Sequence, residues 1–197
     1  MRRGAVLILA AAALVAARPA AADSIEVFVA AMGGANHEFG LLAPSQWRLR
    51  AGHGATAGVD WHLTRHFSAE VMSGSESESV RVNGARQGSF RVIPNAAVFQ
   101  YHPVTDALVE PYLGVGVSYL MYRGNRATPF GRFEQPDHAA LMTQAGLDYV
   151  ASSHWRLMFG AEYGPVRSTA EVTHAAARTE KIDFHQLYLA TGLRYRF

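Results

Sequence analysis

Charged side chains recur at even-numbered positions of segments in which apolar and polar residues otherwise alternate. Because a strand places alternate side chains on opposite faces, these charged residues share one face, and we expect that face to line the interior of a closed sheet. An unpaired buried charge is costly, so the chemistry that they predict is ion pairing. We name the predicted layer the charged floor; it consists of Glu26, Asp60, Glu70, Glu110, Asp148, Arg156, Arg194 and Arg196.

The same face carries apolar and aromatic residues nearer the opposite ends of these segments. This lining is compatible with two kinds of interior. In one, a pocket admits a hydrophobic solute and the charged floor stops it, which forces a lateral exit. In the other, the side chains fill the narrow space and nothing passes. The predicted apolar lining consists of Phe28, Met32, Met72, Leu120, Tyr122, Met142, Phe184 and Tyr188.

The nine histidines raise the question of a metal site. His62, His66, His102 and His154 fall at short connections between the alternating segments. No two histidines have the i, i+2 spacing of one strand face together with a carboxylate on that face. The sequence therefore predicts neither a metal site nor a cofactor, and we interpret these histidines as polar residues of the rim.

Hydroxyl and imidazole side chains also raise the question of catalysis at the outer face. The candidates are His53, Ser73 and His185, all at odd-numbered positions. They do not form a recognisable set of nucleophile, base and orienting group. The sequence therefore predicts that the protein is not an enzyme.

Eight segments carry alternating or strand-forming residues. Short connections at 63–66, 103–108 and 151–154 alternate strictly with long ones, of which 75–88 is predicted to be a solvated loop. This layout is typical of an all-β, up-and-down antiparallel transmembrane barrel of the outer-membrane type, with eight strands. The predicted strands lie near 25–34, 46–62, 67–74, 89–102, 109–122, 139–150, 155–171 and 182–197.

The odd-numbered positions carry the bulky apolar residues, whereas the even-numbered positions carry many glycines. A soluble β domain would turn its apolar face inward, but the small face of these strands could not fill a soluble core. Aromatic residues cluster where the strands meet the short connections, as in the interfacial girdle of a membrane barrel. The predicted girdle consists of Trp61, Tyr101, Tyr149, Trp155, Tyr195 and Phe197.

The first 22 residues have the pattern of a cleaved secretory signal peptide, with basic residues, a short apolar run and small residues before Asp23. Its removal takes away Arg2, Arg3 and Arg18, which leaves 15 basic against 16 acidic residues in 23–197. This balance argues against nucleic-acid binding. About 175 residues predict a single domain, and the lack of a later apolar run of 18 residues leaves a barrel as the way to enter a membrane.

Three segments carry a family resemblance. VFQYHPVTDALVEPYLGVGVSYLMY, at 98–122, resembles the Q-Y-[HF]…PY-[VL]-G-x-G-x-x-Y segment of the OmpW family of small outer-membrane proteins. QAGLDYVASSHWRLMFGAEY, at 144–163, is similar to the family's next hairpin, and KIDFHQLYLATGLRYRF to its final strand. One departure is that Asp183 is followed by Phe184 and His185, where the family often has Asp-Pro-Trp.

The resemblance implies a function. It implies a monomeric barrel in the bacterial outer membrane that passively takes up small hydrophobic molecules and releases them sideways into the bilayer. The expected partners are membrane lipids and lipopolysaccharide, small hydrophobic solutes, and the barrel-assembly machinery, which would recognise Phe197. The alternatives are a structural or adhesive barrel of the OmpX kind with a filled interior, and a lipid A-modifying enzyme.

Overall fold

The computed structural model describes most of the chain from residue 24 onward. Residues 1–23, which include the predicted signal peptide, lie outside the described part. No helix in the described part is both long and apolar enough to cross a membrane. The described residues are 24–38, 47–50, 52–82, 85–124, 127–128, 131–134, 137–166, 171–172 and 184–197.

The described residues form strands joined by turns and bends. In chain order the strands are β1 (Ser24–Glu38), β2 (Trp47–Arg50), β3 (His53–His62), β4 (Phe67–Val82), β5 (Ala85–Tyr101), β6 (Val109–Arg123), β7 (Ala127–Thr128), β8 (Gly131–Glu134), β9 (His138–Val150), β10 (Trp155–Val166), β11 (Glu171–Val172) and β12 (Phe184–Arg196).

Nine of these strands close into one antiparallel barrel. Their order is β2-β4-β3-β1-β12-β10-β9-β6-β5, and a further pairing of β4 with β5 closes the sheet. Strands β2 and β3 both pair with β4, at its two ends, so they act as one barrel strand interrupted at 51–52. The barrel therefore has eight strands, which confirms the predicted fold class. Short strands β7, β8 and β11 form a separate small sheet.

The alternation of outward and inward side chains is plain in β6. Its outward residues Val115 and Val117 are 64% and 55% exposed, whereas the inward residues Tyr112 and Leu120 are almost fully buried. A single apolar residue on a protein surface is ordinary, but a continuous belt of them is not. The outer wall of the barrel is apolar, as expected for a surface that faces lipid.

The structure corrects the predicted loop at 75–88. Strand β4 continues to Val82 and β5 begins at Ala85, so that only residues 83 and 84 lie between them. Ser and Glu have low β propensity, and this composition favoured a loop in the sequence. In the structure Glu76 pairs in register with Val92 and Glu78 pairs with Phe90, and all four side chains are buried inside the barrel.

Glycines on the inward face make room for large rings. Gly146 lies opposite Gly160 on β10 and opposite Tyr112 on β6. A Cβ atom on Gly146 would lie 2.4 Å from the Tyr112 ring, and one on Gly160 would lie 2.8 Å from its hydroxyl oxygen. Tyr112 therefore lies across two glycines on neighbouring strands, an arrangement that fills the space above residues without side chains.

We predict that Gly146→Ala lowers the free energy of unfolding by about 1–3 kcal/mol, because the added methyl group displaces Tyr112 from a filled interior. The matched control is Gly33→Ala in β1, where a Cβ atom would have no neighbour within 4 Å. That variant should unfold like the parent or be up to about 1 kcal/mol more stable. Urea unfolding in lipid vesicles, followed by tryptophan fluorescence, measures both; equal stabilities would contradict the prediction.

Candidate functional site

Arg194 lies at the centre of the charged floor. Its Nη1 is 2.7 Å from Asp60 Oδ2 and its Nη2 is 3.1 Å from Glu70 Oε2. Its Nε lies 3.7 Å from Glu26 Oε2 and 3.6 Å from Asp148 Oδ2. The guanidinium of β12 therefore contacts carboxylates of four other strands, and its side chain is fully buried.

Glu26 connects Arg194 to the other two arginines. Its Oε1 accepts a hydrogen bond of 2.7 Å from Arg156 Nη1 and another from Arg196 Nε. Arg156 also reaches Glu110, with 3.3 Å between Nη2 and Oε2. The structure thus brings the eight residues of the predicted charged floor into one network, in which all except Arg196 are buried.

A chain of neutral side chains extends this network to the rim. Gln144 Nε2 donates to Glu70 Oε1, and Gln100 Nε2 donates to Gln144 Oε1 at 2.8 Å. Ser68 Oγ donates to Gln100 Oε1 and lies 3.1 Å from His102 Nε2. Burial, followed by the nearby His62, lowers the pKa of His102 to about 4, so its imidazole is neutral. Gln100 of β5 lies in the same layer as the charged floor. Together they give this layer a polar side chain from each of the eight barrel strands.

Two aromatic rings separate the floor from the rest of the interior. The Arg194 guanidinium carbon lies 5.1 Å from the centroid of the Phe28 ring and 5.8 Å from that of Tyr112. Contacts at these distances are favourable cation–π interactions. Phe28 covers Gly58, whose Cβ atom would lie 2.6 Å from the ring. The rings thus pack against the cation, with the apolar half of the interior beyond them.

The predicted apolar lining is found in that half. Its described members are buried, and Met32, Met72, Leu120, Met142 and Tyr188 surround a common cavity. Phe28 lies below, on Arg194, and Tyr122 packs against Phe90 with ring centroids 5.8 Å apart. The side chain of Phe184 lies outside the described part of the structure.

Sequence reasoning missed that carboxylates share this apolar half. Glu76 and Glu78 are buried there, next to Tyr188, and Glu162 lines the cavity. The sequence predicted a loop around Glu76 and Glu78. For Glu162, its even-numbered position was the feature that indicated an inward side chain. The upper interior is therefore mainly apolar, but it contains acidic groups as well.

The cavity is small. Its volume is about 30 Å³, which is enough to admit water. Three of its lining residues are methionines, whose long unbranched side chains adapt to irregular spaces. In this conformation the described side chains leave little free space around the cavity.

The barrel wall has a break beside this cavity. The β9–β10 ladder ends at the pair of Thr143 with Tyr163, although β9 continues to pair with β6 as far as His138. Strand β10 continues beyond Tyr163 only against β12, and its Pro165 has no N–H to donate. Tyr163 lines both the inner cavity and a groove of about 550 Å³ on the outer wall.

The predicted girdle residues lie at the end of the barrel that carries the short turns. Tyr101, Tyr149, Trp155 and Phe197 are exposed, and Tyr195 is half-buried. Tyr195 packs edge-on against Trp155 and Phe197, with ring centroids 4.9 and 5.1 Å apart. Trp61 differs, because it is 8% exposed and packs with Ile25 and Val59.

The structure brings His102 next to Asp60 and His62, which already lie two positions apart on β3. Asp60, His62 and His102 each offer a metal-ligand atom, and these atoms lie within 4.8 Å of one another. Asp60 and His62 end β3, whereas His102 follows β5. A search for spacing within one strand could not detect this cluster, because it forms across strands.

The described contacts do not bring together the residues considered for catalysis. The Ser73 hydroxyl donates to Asn95 Oδ1 at 2.9 Å. His53 is exposed at the start of β3, and the side chain of His185 lies outside the described part. No described contact joins Ser73 to a histidine base.

Comparison with known proteins gives a family match over nearly the whole chain. A model of the OmpW family matches residues 3–197. An uncharacterized outer-membrane protein, y4mB of Sinorhizobium fredii, is 23% identical over 145 residues. That alignment covers 71% of this chain but only 63% of the relative.

Solved structures share the fold. The outer membrane protein OprG from Pseudomonas aeruginosa superposes with a TM-score of 0.71 at 16% identity, covering 89% of this chain and 96% of OprG. The outer membrane protein AlkL, solved in lipid bilayers, gives a TM-score of 0.67 at 18% identity, covering 88% of this chain and 90% of AlkL.

We predict that Arg194→Gln destabilises the barrel strongly. The change leaves Asp60 and Glu70 buried without their cation, and breaking a buried ion pair in this way costs about 3–5 kcal/mol. The control is Arg123→Gln: Arg123 pairs with Asp137 at 3.0 Å but its side chain is 51% exposed. Loss of an exposed pair costs less than about 1 kcal/mol. Urea unfolding in lipid vesicles compares the two, and similar losses would refute a central position for Arg194.

Proposed function

The chain belongs to the OmpW family of outer-membrane β-barrel proteins, and we propose that it is a passive, non-enzymatic conduit for small hydrophobic molecules. In this proposal a solute enters the apolar half of the interior from the end with the long connections. It leaves sideways into the membrane between β9 and β10. The observation that carries the proposal is the break in the wall at Tyr163, which lines both the inner cavity and the outer groove.

The charged floor supports a lateral route rather than a straight one. Side chains from all eight barrel strands meet there in an ion-paired and hydrogen-bonded layer. An apolar solute that passed through this layer would have to separate buried ion pairs, which is strongly unfavourable. An eight-stranded barrel is also too narrow for an aqueous pore beside these side chains.

The end of the β9–β10 ladder offers a route whose opening requires less free energy. Opening a continuous antiparallel ladder in lipid would expose backbone N–H and C=O groups that have no partner there. Between β9 and β10 the ladder has already ended at Thr143 and Tyr163. Rotation of Tyr163 would then connect the inner cavity to the outer groove without breaking strand pairs.

Passage also requires the cavity to widen, because its present volume of about 30 Å³ holds no organic solute. The methionines of the lining would allow the cavity to widen. Met32, Met72 and Met142 can change rotamer with little loss of packing, since thioether side chains are flexible and polarizable. The small cavity is also the observation that favours the second candidate, a structural or adhesive barrel with a filled interior.

The remaining features of the proposal concern export and assembly. We propose that residues 1–22 are removed as a signal peptide, that Phe197 contributes to recognition by the barrel-assembly machinery, and that the mature barrel is a monomer surrounded by lipids and lipopolysaccharide. Intact-mass measurement of the protein purified from outer membranes tests the cleavage: a mature chain that begins at Asp23 is expected, and retention of the first 22 residues would contradict it.

We predict that fastening β9 to β10 across the break stops uptake. The chain has no cysteine, so the pair Leu141→Cys and Pro165→Cys can be joined selectively by a short bifunctional thiol reagent. Cross-linked cells should take up the apolar probe N-phenyl-1-naphthylamine no faster than cells without the protein. The same variant before cross-linking is the reference, because Pro165→Cys by itself adds a backbone N–H that the parent lacks. It should take up the probe faster than the cross-linked form.

The matched control uses the pair Val117→Cys and Leu141→Cys, which lie opposite each other in the continuous β6–β9 ladder. Cross-linking there should leave the uptake rate unchanged. Equal rates after both cross-links would exclude the β9–β10 exit. If the parent protein gives no uptake above that of cells without it, the conduit itself is excluded and the filled barrel is the better description.

A further inference from the structure

We propose that Asp60, His62 and His102 form a binding site for a divalent transition-metal ion, with Zn²⁺ as the fitting chemistry, at the short-turn end of the barrel. This inference does not depend on transport, because it concerns the opposite end of the interior from the apolar cavity. It rests on the geometry of the three residues, on two buried polar atoms without hydrogen bonds, on an ordered hydrogen-bond chain and on charge.

The geometry of the three side chains suits a small coordination sphere. One ligand atom from each lies within 4.8 Å of the other two, and the two imidazole rings have their centroids 5.1 Å apart. In tetrahedral coordination with bonds of about 2.1 Å, ligand atoms are about 3.4 Å apart. The widest pair therefore needs to close by about 1.4 Å, which side-chain rotation can supply.

Two atoms of the cluster are buried without a hydrogen bond. These are Asp60 Oδ1 and His62 Nε2. The other oxygen of Asp60 is bound by Arg194 at 2.7 Å, and His62 Nε2 lies 3.4 Å from Glu26 Oε1 and 3.7 Å from Asp60 Oδ2. Asp60 Oδ1 and His62 Nε2 are two of several unsatisfied polar atoms in this interior, and they belong to neighbouring side chains of the cluster. Because buried polar groups are usually satisfied, one ion bound to both side chains would supply the partner that these atoms lack.

The hydrogen-bond chain presents His102 in the tautomer that a metal requires. The chain starts at the Glu70 carboxylate, so each amide donates toward it: Gln144 to Glu70, and Gln100 to Gln144. Gln100 Oε1 then accepts a hydrogen bond from the Ser68 hydroxyl. Because that hydroxyl has used its only hydrogen, its contact of 3.1 Å with His102 is a hydrogen bond only if Nε2–H donates to the Ser68 oxygen. Nδ1 of His102 keeps its lone pair, and Ser68 is the outer-shell partner that fixes a ligating histidine.

The charge of the surrounding floor favours a dication. Its five carboxylates and three arginines, listed above as the charged floor, carry a formal net charge of −2. A divalent ion would neutralise that excess.

The donor set identifies the class of ion. Two imidazole nitrogens and one carboxylate oxygen suit Zn²⁺ and its neighbours in the first transition row, whereas Ca²⁺ and Mg²⁺ prefer oxygen ligands. Three protein ligands leave a fourth position for water. Strands β3 and β5 lie on either side of β4. A bound ion would therefore also cross-link the end of β3 to the turn after β5.

The experiment measures binding of Zn²⁺ to the refolded barrel, without a histidine tag, in competition with a chromophoric chelator. We expect one ion per chain, and a loss of affinity of at least about 10-fold in His62→Ala and in His102→Ala. Ser68→Ala should weaken binding less than either, because it removes an outer-shell partner. Co²⁺ should give the intense visible absorption of a four-coordinate ion, and the histidine variants should lose it.

The control is His154→Ala, which removes an exposed histidine from another short turn. It should bind Zn²⁺ like the parent. The slower migration of unfolded barrels in gel electrophoresis identifies variants that fail to fold, and the Co²⁺ spectrum is then compared only among folded ones. Absence of stoichiometric binding by the parent, or equal binding by the double variant of His62 and His102, would overturn the proposal.

Discussion

The interior of this barrel depends on the contacts of one side chain, Arg194. A closed barrel in lipid offers no water to an unpaired charge, so the charged groups of the floor must find their partners within that layer. Arg194 contacts four carboxylates from four strands, and the rings of Phe28 and Tyr112 pack against it. Replacing a whole buried ion-pair network with apolar residues often leaves the stability of a protein unchanged, but removing one partner lowers it strongly. Each charged residue of the network therefore depends on the others, because the loss of one leaves its partners buried and unpaired.

This constraint extends into the rest of the sequence. The rings that contact Arg194 need space on the inward face, and Gly58 and Gly146 supply it. Beyond the rings, the lining changes to methionine and other apolar side chains, and the β9–β10 ladder ends at this level, beside Tyr163. The polar floor and the adaptable upper half are thus two parts of one packing arrangement, separated by two aromatic residues.

Strand periodicity was sufficient to predict the eight-stranded barrel and to place residues such as Glu26 and Arg194 on a common inward face, because the period of two is a local property. Three features could not be obtained in this way. Glu76 and Glu78 have low strand propensity and lie inside only because cross-strand pairing overrides that preference. The cluster of His62 with His102 depends on the register across β4. The small volume of the cavity depends on rotamers, which no pattern of residue types specifies.

The pairing of β1 with β12 has a consequence for how the protein is made. These strands come from opposite ends of the described chain and pair from Glu26 with Arg196 to Glu38 with Phe184. Two of the three arginines of the floor belong to the last strand, so until it docks, the carboxylates of the open sheet face Arg156 alone. Docking of β12 therefore completes the hydrogen-bonded wall and neutralises the interior in the same step. A chain that lacks this strand has mutual repulsion between carboxylates in place of a closed cylinder.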